Sequence, residues 1–213
     1  MALDCSTLVL DLDGTISDPS LGISRCMNHA LLSCGHETVA PELIERQIGP
    51  PLDDIFRTLA PGITDAQLSA LISAYRDRYS ELGYAENELY PDLVETLVAM
   101  RERDVRLGVC TSKRKDFAER IIDLFQLSEF FAFIDGGDVG VSKANQLAGL
   151  LQSGSIDEQA VMVGDRAVDV VAASSNQLRA IGVLWGFGDR EELEGASPHH
   201  IVSSPAELRE FII

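Results

Sequence analysis

The chain has 213 residues, of which 34 are Asp or Glu and 17 are Lys or Arg, so its formal net charge is −17. An acidic surface repels a phosphate backbone, and nucleic-acid binding is therefore not expected as the main role. Hydrophobic residues make up 46% of the chain and charged residues 24%, a composition that excludes a disordered or fibrous protein. At roughly 150 residues per domain, the length predicts one core with room for an insertion.

Cysteine use and hydropathy bear on the cellular compartment. The chain has four cysteines, and no two of them have the C-x-x-C spacing of a zinc ribbon or a redox motif. The N-terminal residues lack a basic segment, and no apolar run approaches the roughly 18 residues of a membrane span. We expect a cytoplasmic protein without a membrane partner, either a monomer or a homodimer.

The first predicted element is a buried strand at residues 7–10, which ends in the polar sequence D-L-D-G-T at residues 11–15. No convincing strand follows between residues 17 and 88. Apolar spacing predicts four helices in this stretch, at residues 21–32, 41–48, 52–59 and 65–82. We interpret residues 17–88 as a helical cap domain inserted into a core that is formed by residues 1–16 and 89–213.

Strands and helices alternate after residue 88. Short apolar runs predict strands at residues 106–110, 131–134, 160–163 and 180–184. Helical patterns lie near them, at residues 93–103, 116–125, 144–151 and 167–175. This order predicts an α/β fold in which a doubly wound parallel sheet carries helices on both faces.

Polar side chains gather where the predicted strands end, which is where ligands bind in open α/β sheets. They are Asp11, Asp13, Thr111, Ser112, Asp165 and Asp169, and Lys143 precedes a further helix. Each residue alone also fits a turn or the first turn of a helix. Together they predict an acidic cation site beside a hydroxyl group and an ammonium group. No P-loop, dinucleotide-binding or H-E-x-x-H string occurs in the chain.

The sequence D-L-D-G-T at residues 11–15, followed at a distance by G-D-R-A-V-D at residues 164–169, resembles the haloacid dehalogenase-like superfamily of phosphohydrolases. The segments at residues 49–52 and 88–91 are similar to those of its phosphoglycolate phosphatase-like branch. The resemblance covers nearly the whole chain. It implies a Rossmann-like core with a helical cap inserted after the first motif, in agreement with the boundaries above.

The resemblance also implies a Mg²⁺-dependent phosphatase that acts on a small phosphorylated metabolite through an aspartyl-phosphate intermediate. Asp11 would be the nucleophile, and Asp13 the general acid and base. The implied phosphate-binding residues are Thr111, Ser112 and Lys143. The implied metal ligands are Asp11, Asp13 through its main-chain carbonyl, Asp165 and Asp169. One departure concerns Lys143, because Ala144 follows it where many relatives have proline.

Two further cationic residues are candidates for contact with the substrate. Arg46, in the cap, could bind a carboxylate or a second phosphate of the substrate, and the alternative is a solvated helix face. Lys113 directly follows Thr111-Ser112 and could reach outward to the substrate in the same way. Cys110 lies in an apolar run and is expected in the core.

Other functions fit the same residues. A 5′-nucleotidase, a pyrophosphatase or a β-phosphoglucomutase-like phosphotransferase would use the same residues, because the cap selects the substrate. A dehalogenase is less favoured, since it does not need the acid and base that Asp13 supplies. Outside the enzymes, a phosphoacceptor receiver domain also has an aspartate, a hydroxyl residue and a lysine at strand ends, but it lacks a large helical insertion.

Overall fold

The computed structural model describes residues 5–212. Its strands are, in chain order, β1 (Thr7–Leu10), β2 (Ser17–Asp18), β3 (Glu88–Leu89), β4 (Arg106–Arg114), β5 (Phe133–Gly137), β6 (Val161–Gly164), β7 (Arg179–Val183) and β8 (His200–Val202). Six of them form one parallel sheet in the order β5-β4-β1-β6-β7-β8. The predicted parallel α/β fold is confirmed, and β1 lies in the interior of the sheet.

The described α-helices are α1 (Ser20–Ser33), α2 (Pro41–Glu45), α3 (Leu52–Leu59), α4 (Asp65–Glu81), α5 (Leu93–Glu102), α6 (Lys115–Leu124), α7 (Lys143–Gln152), α8 (Ala167–Ser175), α9 (Arg190–Ala196) and α10 (Pro205–Phe211). Short 3₁₀ turns lie at Gly83–Ala85 and Ser128–Phe130. Within residues 5–212, no helix has the length and apolar character that crossing a membrane requires.

Apolar side chains on both faces of the sheet explain its two helical layers. Leu8 and Leu10 of β1 belong to the core cluster that includes residues of α5, α6 and α10. Val9, which points to the opposite face, belongs to the cluster formed with α7, α8 and α9. Successive residues of a strand face opposite sides, so a run that is apolar throughout requires cover on both faces.

The chain leaves and re-enters the sheet region through a two-stranded connection. β2 and β3 pair antiparallel, with Ser17 opposite Leu89 and Asp18 opposite Glu88. Helices α1 to α4 lie between these strands in the sequence. The prediction of no strand between residues 17 and 88 is therefore wrong at both ends of that range. Two-residue strands show no periodicity in the sequence, and only their pairing defines them.

Other predicted elements differ from the structure mainly at their carboxyl ends. β4 continues through Thr111 and Ser112 to Arg114, with an irregular register against β5, whereas a strand end was expected before Thr111. β5 includes the segment Asp135-Gly136-Gly137, which was expected to follow the strand. α9, β8 and α10 were not predicted.

Candidate active site

Asp11 lies at the carboxyl end of β1, between the ends of two neighbouring strands. Its backbone N–H donates to the carbonyl oxygen of Val163 in β6 at 2.9 Å. Its Oδ1 accepts a hydrogen bond from the N–H of Leu12 at 2.8 Å, which fixes the carboxylate against its own turn. The residue is 2% exposed. The sheet thus holds the predicted nucleophile rigidly at the bottom of the site.

Three buried carboxylates converge at this point. Asp11, Asp165 and Asp169 each place an oxygen within 4.8 Å of the others. Burial raises the pKa of Asp165 well above its usual value, and the charges of Asp169 and Asp11 add to this effect. Burial also raises the pKa of Asp169 to about 6, although the ammonium of Lys143 opposes the shift. The cluster therefore concentrates negative charge that the surrounding protein only partly neutralises.

Gly14 allows this convergence. Its φ of +83° lies in the left-handed region, and a Cβ built on it would lie 2.1 Å from Oδ2 of Asp165. Any side chain there would displace the carboxylate, in addition to the backbone strain that a non-glycine residue carries at this φ. The glycine of the D-L-D-G-T sequence is therefore required by the close approach of Asp165.

Lys143, the first residue of α7, provides the ammonium group of the site. Its side chain has no exposed surface, and its Nζ lies 2.8 Å from Oδ2 of Asp11 and also contacts Oδ1 of Asp169. Burial disfavours the charged form, but Asp11 and Asp169 outweigh burial and raise the pKa of Lys143. The lysine is therefore charged at neutral pH, and the alanine that follows it has not displaced it from the site.

The donor set fits a divalent cation. Three carboxylates face the single ammonium of Lys143, which leaves uncompensated negative charge in a buried place. Carboxylate oxygens are the ligands that Mg²⁺ prefers, and a cation of charge two would remove the excess. The structure places the carboxylate of Asp13 outside this cluster, so any role of that residue as a ligand falls to its main-chain carbonyl.

Asp13 forms a second, separate ion pair. Its Oδ2 lies 2.8 Å from Nζ of Lys113, and both side chains are largely buried. Its Oδ1 is buried without a hydrogen-bond partner. Burial raises the pKa of Asp13, against the opposing charge of Lys113. Lys113 was expected to reach outward to the substrate, and the structure instead turns it inward onto Asp13.

Thr111 and Ser112 lie on the irregular end of β4 and line the same cleft as Asp11 and Asp13. Thr111 is 2% exposed, and its Oγ1 accepts a hydrogen bond from the N–H of Lys113 at 3.3 Å. The carbonyl oxygen of Thr111 accepts from Nε2 of Gln146 in α7, which fixes this part of β4. Both predicted hydroxyl residues are therefore brought to the site.

A cleft lies above these residues. Helices α1, α3, α4 and α6 supply much of its wall, including Ile23, Met27, Ile55, Tyr75, Tyr79 and Phe117. Arg76 and Arg114 also line it, whereas Arg46 is exposed and lies outside the lining residues. The structure therefore does not bring Arg46 to the site.

Sequence reasoning missed the contribution of α4 to the cleft. Tyr75 and Tyr79 have the i, i+4 spacing of one helix face, which also describes an ordinary core-facing helix. Arg76 lies next to that face and pairs with Asp138 at 2.6 Å. Nothing in the local pattern distinguishes a face that borders a cleft from one that packs in a core.

Comparison with known proteins agrees with this geometry. The family model described as haloacid dehalogenase-like hydrolase matches residues 8–183. A 5′-nucleotidase of Pseudomonas aeruginosa is 34% identical over 99% of this chain and 97% of its own length. The tyrosine-protein kinase PtkA of Mycobacterium tuberculosis is 32% identical over 96% of this chain and 72% of its own length. A phosphoglycolate phosphatase of Pseudomonas putida is 26% identical over 92% of this chain and 75% of its own length.

A solved structure has the same fold as this chain. A protein described as a predicted phosphatase of Clostridium acetobutylicum superposes with a TM-score of 0.91 at 29% identity, over 99% of this chain and 97% of its own. The motif residues, the topology and the relatives agree. The chain belongs to the haloacid dehalogenase-like hydrolase family and is a phosphatase.

Proposed function

We propose that the protein is a Mg²⁺-dependent phosphomonoester hydrolase that acts on a small phosphorylated metabolite through a phosphoryl group carried by Asp11. The observation that supports this most is the separation of two ion pairs at one sheet edge. Lys143 pairs with Asp11, and Lys113 pairs with Asp13. A nucleophile and an acid are thereby held side by side with different partners.

The first step transfers the phosphoryl group to the protein. An oxygen of Asp11 attacks phosphorus, and the bond from phosphorus to the leaving oxygen breaks. Asp13 enters this step protonated and donates that proton to the leaving oxygen, and the alcohol leaves. The oxygen Oδ1 of Asp13 has no other partner and is available for this transfer.

The second step releases phosphate. Asp13, now a carboxylate, takes a proton from a water molecule, whose oxygen attacks phosphorus. The bond between phosphorus and Asp11 breaks, and Asp11 returns to its starting state. One residue thus serves as the acid in the first step and as the base in the second.

Attack of a carboxylate on a phosphate dianion brings like charges together, at a cost of about 4 kcal/mol per pair of unit charges at 4 Å and an effective dielectric of 20. Lys143 opposes this repulsion from within the protein, and we assign Thr111 and Ser112 to the phosphoryl oxygens. Asp11, Asp165 and Asp169 would hold Mg²⁺, which when bound neutralises charge on the phosphoryl group.

We propose that residues 17–88 form a cap domain that supplies the upper wall of the cleft. This wall is largely apolar and aromatic, as Ile55, Tyr75 and Tyr79 illustrate. Apolar walls strengthen binding only when the substrate brings apolar surface to them. A nucleoside 5′-monophosphate does so through its base, whereas 2-phosphoglycolate has two carbons and a carboxylate.

The charges of the cleft favour the same substrate class. Among its described lining residues, the cationic side chains Lys113, Arg76 and Arg114 each already face a carboxylate. A second anionic group on the substrate would have to displace one of these pairs. The similarity to a 5′-nucleotidase supports this choice, and we propose nucleoside monophosphates ahead of 2-phosphoglycolate.

A turnover screen tests the proposal. The purified protein with Mg²⁺ is assayed on nucleoside 5′-monophosphates, 2-phosphoglycolate, sugar phosphates and pyrophosphate, with Asp11→Asn as the control for contaminating phosphatases. We expect the highest kcat/KM on a nucleoside monophosphate. A preference for 2-phosphoglycolate would refute the substrate class, and equal turnover by Asp11→Asn would refute the assigned nucleophile.

For the cellular location we propose the cytoplasm. Cys26, Cys34 and Cys110 form no disulfide. A reducing compartment is the usual environment of thiols that form no disulfide.

A further inference from the structure

We propose that Lys113 is a positioning residue that holds Asp13 for proton transfer to the leaving group and, through Tyr79, makes this position depend on the packing of α4. The inference rests on the proposed function, because it concerns the general acid of that reaction. It assigns Lys113 to the acid rather than to the substrate or the phosphoryl group.

The contacts of Lys113 support this role. Its Nζ lies 2.8 Å from Oδ2 of Asp13 and donates a hydrogen bond to Oη of Tyr79 at 2.9 Å. The ammonium also lies 4.6 Å from the centre of the Tyr79 ring, within the range of a cation–π contact. The side chain of Lys113 is 8% exposed. A charge that is both buried and shared by these two groups has little freedom to move.

The two oxygens of Asp13 have different surroundings. Oδ2 is held by Lys113, whereas Oδ1 is buried and has no hydrogen-bond partner among the described residues. Fixing one oxygen of a carboxyl group fixes the direction of the other. Lys113 therefore determines where the free oxygen of Asp13 points, which is the property that general acid catalysis requires.

Tyr79 fixes Lys113 in turn. Its ring is fully buried, stacks on Tyr75 at 5.3 Å between centroids, and meets the edge of Phe117 at 5.0 Å. Tyr75 and Tyr79 belong to α4, whereas Phe117 belongs to α6 and Asp13 follows β1. The hydroxyl of Tyr79 thus connects a helix of the inserted segment to the acid of the site.

The backbone of β4 directs Lys113 toward Asp13. The register of β4 against β5 is irregular between Thr111 and Arg114, so regular strand alternation is interrupted where Lys113 lies. The carboxyl end of the neighbouring strand β5 lies beside α4, because Arg76 of α4 pairs with Asp138, which follows β5. The irregularity explains why the predicted outward direction of Lys113 does not occur.

The chain offers a matched control two residues away. Lys115 has a side chain that is 60% exposed and lies 3.8 Å from Glu119 within α6. It contributes no lining to the cleft above Asp11. Replacing it with methionine removes the same charge as replacing Lys113, at a position without access to Asp13.

The test compares two substrates that share a ring and differ in the leaving group. The phenolate that leaves phenyl phosphate is basic and needs a proton from the acid. The p-nitrophenolate that leaves p-nitrophenyl phosphate is weakly basic and departs without one. The parameter is kcat/KM, because it covers only the steps up to departure of the leaving group. For Lys113→Met we expect kcat/KM on phenyl phosphate to fall about 10-fold or more beyond its fall on p-nitrophenyl phosphate. Lys115→Met should match the wild type on both.

Tyr79→Phe provides a second and milder test, since it keeps the ring and removes only the hydroxyl. It should show the same bias against phenyl phosphate, with a smaller loss. If Lys113→Met fails to fold, as judged by circular dichroism, the result for Tyr79→Phe decides whether the inference holds. Retained activity on p-nitrophenyl phosphate shows in either variant that the site is intact.

Three outcomes would overturn the inference. Equal losses on both substrates would show that Lys113 binds the phosphoryl group or acts only through stability. A rise in KM with unchanged kcat on both would show that it is a substrate-binding cation. A wild-type protein without activity on either substrate would refute the proposed function and this inference with it. If the wild type is active and the variants lose no more activity on phenyl phosphate than on p-nitrophenyl phosphate, the inference alone is refuted.

Discussion

Lys143 lies between Asp11 and Asp169, with its ammonium buried and charged. Its charge opposes the negative charge that grows at phosphorus and at the attacking oxygen during transfer. Lys143→Met keeps most of the length of the side chain and removes this charge. We expect kcat to fall about 10²-fold or more, as when one oxyanion donor is lost.

Lys115→Met is the control for this prediction, and steady-state kinetics with a thermal melt measure both variants. A Lys143→Met protein that folds and retains wild-type kcat would contradict the role of this ammonium. The comparison also separates the lysines, because Lys113→Met is expected to depend on the leaving group and Lys143→Met is not.

The sequence predicted the polar residues of the site because each lies at or near the end of a strand of one parallel sheet. Asp11 and Asp165 follow β1 and β6, whose pairing brings them together across a long separation in the chain. The sequence did not predict which side chains of the site pair with each other. The inward direction of Lys113 depends on the irregular register of β4, which leaves no signature in a strand pattern.

Helices α1 and α4 are joined by a carboxylate that lies just before β3. Glu86 accepts hydrogen bonds from Arg78 of α4, the shorter at 2.8 Å, and from Arg25 of α1 at 2.6 Å. The side chains of Glu86 and Arg78 are 19% and 17% exposed, whereas that of Arg25 is 53% exposed and contributes less. Arg78 and then Arg25 lower the pKa of Glu86, although burial opposes them.

This contact predicts a stability that depends on pH. The pKa of Glu86 is lower in the folded than in the unfolded protein, so its ionised form stabilises the fold above the unfolded pKa. That contribution is lost as the pH falls through the folded pKa. Glu86→Gln should lower the free energy of unfolding by about 1–2 kcal/mol at neutral pH, and by less below the usual carboxylate range.

Urea unfolding at neutral and at acidic pH measures the difference between Glu86→Gln and the wild type. Glu81→Gln, at an exposed position of α4, is the control and should leave stability unchanged. A stability difference of the same size at both pH values would show that the charge of Glu86 does not contribute.

Elements with a clear apolar pattern were predictable, including the four-residue strand β1, and several short elements without one were not. Helix α3 was predicted with its bounds correct, and α8 likewise. β8 has three residues, and α9 and α10 have seven each, which is too few for a period to emerge from the sequence. β2 and β3 are shorter still and are defined by pairing with each other.

At the scale of the whole molecule, the chain is acidic, and its site gathers three of its carboxylates in one buried place. The cluster of Asp11, Asp165 and Asp169 carries charge that Lys143 alone does not balance. Mg²⁺ that binds the folded protein in preference to the unfolded chain raises its melting temperature. We expect EDTA to abolish activity and Mg²⁺ to restore both activity and the higher melting temperature.

Ca²⁺ should bind and inhibit, because it takes more and looser oxygen ligands and would misplace Asp11 for attack. Melting curves and initial rates across a metal titration check these expectations. Full activity after exhaustive treatment with chelator would contradict a metal-dependent site, as would a melting temperature that Mg²⁺ leaves unchanged in the wild type.

The overall architecture followed from the order of elements, although β2 and β3, between β1 and β4, were not predicted. The placement of the inserted helices relative to the sheet did not follow from this order. Arg46 was a candidate for contact with the substrate, with a solvated helix face as the alternative, and the cleft is lined instead by Arg76 and the two tyrosines of α4. Which face of an inserted helix meets a cleft depends on tertiary packing, which no local pattern encodes.

The central claim is that the phosphoryl group passes through Asp11 while Asp13 moves the protons. Asp13→Asn with p-nitrophenyl phosphate tests it most directly, because this leaving group departs without an acid but hydrolysis of the intermediate still needs a base. In a rapid-mixing experiment we predict a burst of one equivalent of p-nitrophenolate per site, slow turnover afterwards, and a phosphoryl group mapped by mass spectrometry to Asp11. Turnover at the wild-type rate, or a phosphoryl group on any other residue, would contradict the account.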